Sequence, residues 1–404
     1  MAFNAALARD DTRALTGAPC APGRDPMRIL HLIHSEGIYG AELILLYLAR
    51  EQQQRGHEPF VGSIRDPGME QTSFEALAHS WGLPVVPIRI TPRPTPGVVR
   101  SLLRIVRDVA PDVLHSHGYK ANILLGPLPR RLRGPMLATL HGWTGARRFS
   151  ALWLYERLDR LSLRRIDSVV VVARHMLELR ALQGVPATRR HVIENGIPPR
   201  EVRLADLAAR GVAAQPDELV EFTTRRPTLI AIGRLSPEKG FMLLLEAFAR
   251  ARAQTAAGYQ LLIIGEGPQR ELLANRIAVL GLSGAVRLGG YVAGADRLLE
   301  HAAGFVMSSL TEGMPLVLLE AMQWRVPILA TSVGAIPELL DEGRRGRLAA
   351  PNDLVALTQG LQSMMSAGGG AGEQGVAAAH AAVSRRYTSV RMADEYFGAY
   401  EAIA

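Results

Sequence analysis

Short apolar runs of strand length recur along this chain, with longer amphipathic stretches between them. The first series comprises MRILHLIH from Met27, DVLHSH at 112–117, MLATLHG at 136–142 and SVVVVA at 168–173. Helical text such as AELILLYLAREQQQRG, which ends at Gly56, separates them. Runs of this length that are apolar throughout and partly β-branched predict buried parallel strands joined by crossover helices. The pattern pauses at Asn195–Gly196, and residues 197–226 are mixed. It restarts with TLIAIGRL, YQLLIIGEG, VRLGGYV, GFVMSSL and VPILAT, again alternating with helical text such as GFMLLLEAFARARAQ. Two successive series predict an α/β protein of two Rossmann-like, doubly wound domains facing across a cleft. Ligands are then expected outside the carboxyl ends of the strands. The expected boundaries are 26–197 and 198–385, with residues 1–25 a disordered leader, MMSAGGGAGEQG a flexible break, and a last helix at about 386–404.

Composition narrows the class. At roughly 150 residues per domain, 404 residues suit two or three domains. The hydrophobic fraction of 48% and charged fraction of 21% are those of a soluble globular protein. The single cysteine, Cys20, excludes an internal disulfide framework and fits a reducing, cytoplasmic setting. No secretory h-region follows the N-terminus, and no apolar run approaches the roughly 20 residues that span a bilayer. The net charge of +8 is almost all arginine, the lysines being Lys120 and Lys239. Compositional bias and a basic face for phosphates or an anionic membrane both account for it. Nucleic acid is not an expected partner, because aromatics are only 5% and no RNP, HTH, KH or zinc-finger pattern occurs.

Chemistry concentrates after the strands of the second series. AIGRLSPEKG places Arg234 just past a strand and Lys239 before Gly240. Two cations there suit a diphosphate, Arg gripping two oxygens and Lys acting as a point charge; two solvated surface charges are the alternative. IIGEGPQR is a glycine-rich turn but not the dinucleotide fingerprint. In SSLTEGMPLVLLEAM a strand leads into the turn TEGM, and Pro315 suits the first helical position. The helix start attracts an anion. Glu312, just before it, can accept hydrogen bonds from sugar hydroxyls, and Glu320 can reach a ribose diol. The alternative is that Glu312 favours the helix dipole and Glu320 is solvated. A carboxylate in so apolar a run as PLVLLEAM, however, needs a partner.

These segments resemble the retaining family 4 glycosyltransferases of GT-B fold. Glu312-Gly313 through Glu320-Ala321-Met322 matches their Glu–seven residues–Glu signature, GRLSPEKG their Gly-Arg…Lys-Gly loop, and VIENGI their Asn-Gly entry to the linker. The resemblance runs from about Met27 to the C-terminus. It implies that Arg234 and Lys239 contact the donor diphosphate and that Glu312 binds donor-sugar hydroxyls. Gly313, Met314, Pro315 and Leu316 would surround the sugar and phosphate, Pro315 through its carbonyl. Glu320 would bind the ribose, and Gly290, Tyr291 and Val292 would border the base. The last helix would cross back onto the first domain. In HSEGIYGAEL, Gly40 matches the family loop that closes over the diphosphate, whereas Tyr39 replaces a glycine and would reshape the acceptor entrance.

His141 ends the strand of ATLHGW. A lone histidine is commonly structural, but the resemblance assigns His141 to donor-sugar orientation and transition-state hydrogen bonding. His115, His117 and Lys120 end another strand, where either histidine would meet the acceptor or simply close the strand. RRLR at 130–133, RRF at 147–149 and WLYERLDRLSLRR at 153–165 are either solvated basic faces or a surface for anionic lipid.

The implied reaction moves a glycosyl group from a nucleotide diphosphate sugar, as substrate and not cofactor, to a glycan or lipid-linked acceptor, with retention. The setting would be cell-surface polysaccharide or glycolipid synthesis, in the cytoplasm or at the inner face of its membrane. Fixed cations make a divalent metal unnecessary, and no Asp-x-Asp motif occurs to hold one. A sugar-nucleotide epimerase, a phosphorylase and a non-catalytic sugar-binding protein remain as alternatives.

Overall fold

Seven short parallel strands make the first sheet of the computed structural model, in the order β3-β2-β1-β4-β5-β6-β7. They are β1 Arg28–His34, β2 Glu58–Arg65, β3 Val85–Arg89, β4 Val113–Ser116, β5 Met136–Leu140, β6 Ser168–Val171 and β7 Arg190–Val192. Six more make the second sheet: β8 Thr228–Ile232, β9 Gln260–Ile264, β10 Val286–Gly290, β11 Gly304–Met307, β12 Ile328–Thr331 and β13 Arg347–Ala349. Their order is β10-β9-β8-β11-β12-β13, and every pairing in both sheets is parallel. The structure describes residues 25–404 except 36, 66–67, 69–70, 91–94, 143–150, 213–214, 256–257 and 367–371. The leader up to residue 24, with Cys20, and the RRF segment at 147–149 lie outside the described residues, as does the centre of the glycine-rich break.

Strands covered by helices on both faces must be apolar on both, and they are. Every residue of β5, β6, β9, β11 and β12 is buried. Full burial of each Val, Leu or Ile side chain contributes about 1.5–3 kcal/mol, so these runs are the stable centre of each sheet. Four strands not expected from the sequence complete the sheets. β2 and β3 carry Gly, Pro and Arg, which dilute the apolar signal, and Pro87 is tolerated because β3 is an edge strand. β7 and β13 are edge strands of only three residues. The mixed stretch 197–226 holds two helices, Arg200–Ala209 and Asp217–Arg225, and Gly372–Gly375 of the expected break belong to the helix Gly372–Arg385.

The chain divides into two compact units, one of residues up to Gly196 together with Ser389–Ala404, the other Ile197–Thr388. The last helix, Ser389–Glu401, thus belongs to the first unit, where Arg55 bonds Asp394 at 2.8 Å and Ser389 bonds Glu51 at 2.6 Å. Strand order reverses between β1 and β4 in one sheet and between β8 and β11 in the other. Those are the switch points at which open α/β sheets bind ligands.

Candidate functional site

In the second unit, the loops after β8 and β11 meet at the switch point. Ser308 Oγ donates to the Lys239 carbonyl at 2.9 Å, and the Leu310 amide donates to the Glu238 carbonyl at 2.7 Å. Gly240 has φ +67, and a Cβ there would lie 2.1 Å from the Ser308 carbonyl oxygen. Only glycine lets the two loops approach so closely. This brings Lys239 and Glu312 together. Lys239 Nζ donates to Glu312 Oε1 at 2.6 Å, and Ser309 Oγ donates to the same oxygen at 2.6 Å. The other carboxylate oxygen of Glu312 has no partner among the described residues. Arg234 sits beside this pair in sequence but is exposed. The glycine-rich turn after β9 braces its loop, the Leu235 amide donating to the Glu266 carbonyl at 2.9 Å.

Pro315 does not occupy the first helical position. It is the N-cap, with φ −74 and ψ 122, and the helix is Leu316–Gln323. A proline ring suits that extended conformation equally well, and its carbonyl starts the helix. Met314, Pro315 and Leu316 are buried, Gly313 is half-buried, and the first-turn amides of the helix lack intrahelical partners. Gly334, which sequence reasoning missed, supports this turn. It has φ +59, and a Cβ there would lie 2.2 Å from the Glu312 carbonyl oxygen. The signal was available: TSVGAIPEL is another strand-to-helix turn with a glycine at its bend. Gly290 ends β10 with φ +72; Val292 is half-buried, and Tyr291 is 61% exposed.

Glu320 has the partner that its apolar surroundings demand. Arg203, in the helix Arg200–Ala209, lies 3.4 Å from Glu320 and 2.7 Å from Asp296, and it also donates to Gln323 Oε1 at 2.8 Å. Trp324 Nε1 donates to Asp296 at 3.1 Å. Burial, then the Asp296 charge, pushes the Glu320 carboxyl up to about 8 against the opposing pull of Arg203. Nothing in REVRLADLAA marks Arg203 as a partner, because the contact spans 117 residues of sequence.

In the first unit, Gly40 opens the helix Gly40–Gln54 after β1, and both Gly40 and Tyr39 are exposed. The Tyr39 amide donates to Glu42 Oε2 at 3.1 Å. His141 follows β5 and is half-buried. Its Nε2 lies 3.0 Å from His117 Nδ1, and loss of hydration pushes its pKa down to about 4. His115 and His117, expected either to meet the acceptor or to close their strand, are tied into the interior. Both are buried, and each ring nitrogen of both is already hydrogen-bonded, to Tyr400 and Thr139 for His115 and to His31 and His141 for His117. Their pKa values lie well below the usual histidine range, first through burial and then through neighbouring imidazoles. Ring nitrogens of His31, His115 and His117 lie within 4.8 Å of one another, the density of a metal site. All six nitrogens are engaged in hydrogen bonds, however, so no lone pair converges on a shared point.

The basic segments separate in the same unit. Arg133 is buried against Asp167 at 2.8 Å and cannot serve a surface. Leu132, Leu154 and Leu161 are exposed among arginines. No described helix is long and apolar enough to cross a membrane.

Comparison with known proteins agrees with this fold. Residues 38–201 match the family model "Glycosyltransferase Family 4", and residues 226–367 match "Glycosyl transferases group 1". The chain belongs to the family 4 glycosyltransferases. It is a retaining family of GT-B fold that uses nucleotide-sugar donors. The glycogen synthase of Mycobacterium tuberculosis is 28% identical over 67% of this chain, which spans 65% of that relative's length. The GDP-mannose-dependent alpha-(1-6)-phosphatidylinositol monomannoside mannosyltransferase of Mycolicibacterium smegmatis is 25% identical over 86% of this chain and 92% of its own. Among solved structures, Anabaena HepE in complex with UDP-glucose shares the fold at a TM-score of 0.77 and 21% identity, covering 93% of this chain and all of that one.

Proposed function

We propose that this protein transfers a sugar from a nucleotide diphosphate sugar to an acceptor hydroxyl with retention of anomeric configuration. The observation that carries the reading is the Lys239–Ser309–Glu312 cluster at the carboxyl ends of β8 and β11, immediately before the helix Leu316–Gln323. Lys239, the exposed Arg234 and the first-turn amides of that helix supply fixed positive charge for the diphosphate as it leaves. Glu312 takes the donor-sugar hydroxyls through its second oxygen, with Gly313, Met314, Pro315 and Leu316 around the sugar and phosphate. Glu320 takes the ribose, as a neutral carboxyl able to donate below its raised pKa and accept at every pH. Gly290, Tyr291 and Val292 border the base, and Gly40 belongs to the loop over the diphosphate. His141 is neutral at pH 7 and adds no charge opposed to an oxocarbenium-like transition state. No protein nucleophile is assigned; the leaving phosphate itself guides the acceptor.

UDP-glucose and GDP-mannose are the first donors to assay, with release of free nucleotide measured with and without acceptor. Acceptor-dependent release supports transfer. Acceptor-independent conversion of the donor to a different nucleotide sugar would make the protein an epimerase. We further propose a glycan or lipid-linked acceptor, and a cytoplasmic protein that touches anionic membrane through Leu154, Leu161 and their flanking arginines. Co-sedimentation with vesicles containing phosphatidylglycerol should occur at low salt and weaken at high salt. Absence of binding at low salt ends the membrane reading.

A further inference from the structure

A continuous run of hydrogen bonds leads from His141 into the core of the first unit. His141 Nε2 lies 3.0 Å from His117 Nδ1, His117 Nε2 lies 3.0 Å from His31 Nδ1, and His31 Nε2 lies 2.8 Å from Gln52 Oε1. The Gln52 amide nitrogen donates to the Tyr400 hydroxyl at 3.2 Å. From there the run passes to His115 Nδ1 at 2.7 Å, from His115 Nε2 to Thr139 at 2.8 Å, and on to the Tyr396 hydroxyl at 2.9 Å. His31, Gln52, His115 and Thr139 are fully or almost fully buried. Tyr396 and Tyr400 come from the last helix of the chain.

A neutral imidazole has one proton, so one nitrogen donates and the other accepts. Along imidazoles bonded directly to one another, the choice at one end therefore fixes every ring. The Gln52 carbonyl oxygen can only accept, so His31 carries its proton on Nε2 and accepts at Nδ1. His117 then carries its proton on Nε2, and so does His141. The Nδ1 of His141 has no partner among the described residues, and the residue as a whole is half-buried. It is the ring atom left to meet a ligand, and it is left with a lone pair.

We propose that Gln52 is a positioning residue which, through His31 and His117, holds His141 in the Nε2–H tautomer and so presents an acceptor to the donor sugar. An acceptor takes a sugar hydroxyl proton in a hydrogen bond and lies favourably beside positive charge growing on the sugar ring. The opposite tautomer would offer an N–H there. Burial lowers the pKa values of His31, His115, His117 and His141, which keeps the file neutral and the one-proton rule in force. The proposal rests on the reading of His141 as a donor-sugar residue, and the two fail separately.

The test is histidine ring nitrogen NMR on the full chain, labelled with nitrogen-15 histidine and without ligand, alongside kinetics with the donor that the assay identifies. In the wild type, His141 should show an unprotonated Nδ1 and a protonated Nε2. In Gln52→Met, His141 should show a mixture of tautomers, with kcat lowered roughly fivefold to tenfold, the loss that goes with one net hydrogen bond, and KM little changed. A wild-type His141 protonated on Nδ1 overturns the proposal whatever the variants do, so a Gln52 variant that fails to fold does not protect it. An unchanged His141 spectrum in Gln52→Met also overturns it. A His141→Ala variant that transfers sugar at the wild-type rate instead sinks the role of His141, while the wild-type spectrum still reports the tautomer.

Discussion

The two units hold polar groups still by opposite means. In the second, charges are neutralised in pairs, Lys239 with Glu312 and the buried Arg203 with Asp296, next to the raised carboxyl of Glu320. In the first, the titratable groups around the strand ends are imidazoles, buried and uncharged, whose protons are shared along a file. The roles proposed for each account for the difference. A site for a diphosphate needs net positive charge that is already paid for in hydration and can be handed from a carboxylate to a phosphate. A residue that only orients a sugar gains from rigidity and loses from charge, so the imidazoles that support it tolerate deep burial.

The comparison breaks first at Glu312. Glu312→Ala should lower kcat roughly thousandfold, in the range seen when one transition-state contact is removed, while nucleoside diphosphate affinity stays within about threefold. Steady-state kinetics and calorimetry check this, and turnover equal to wild type rejects the role. Next in size is Arg203→Ala, which leaves the buried Asp296 carboxylate without its cation. It should cost about 3–5 kcal/mol of stability in the second unit, read from its transition in urea. A loss below about 1 kcal/mol would show a solvated surface pair instead.

Glu320→Gln gives a smaller, pH-dependent effect. The folded state raises the Glu320 pKa from its ordinary value near 4.5 to about 8. The unfolded chain therefore ionises first, and stability contributed below pH 4.5 is lost as pH rises toward 8. The neutral amide does not ionise, so the variant should gain Tm relative to wild type across that window and match it most closely near pH 4. Parallel Tm curves from pH 4 to 9 would contradict the raised pKa.

Legibility in the sequence divides along the same line. The strands at the centres of both sheets are visible as apolar runs because parallel strands must be buried on both faces. Arg234, Lys239, Glu312 and Glu320 are visible because their motifs are contiguous and follow strands. The edge strands β3, β7 and β13 are too short, or too diluted by Pro and Arg, to stand out. Arg203 and the file through His31, Gln52 and Tyr400 are invisible for another reason. Their contacts join residues 117, 86 and 348 positions apart, and no local pattern records such a pairing. Gly334 lies between these cases: its turn is legible, but its closeness to the Glu312 carbonyl is not.

The central claim is that Lys239 holds the diphosphate of a nucleotide sugar while Glu312 holds the sugar. Its most direct test is calorimetric titration of UDP, UDP-glucose, GDP and GDP-mannose into wild type, Lys239→Ala and Glu312→Ala. At least one pair should bind wild type, with Lys239→Ala weakening both its members tenfold or more, about 1.4 kcal/mol, and Glu312→Ala weakening only the sugar-bearing one. Binding to wild type that Lys239→Ala leaves unchanged, or no binding by any of the four, would contradict the account.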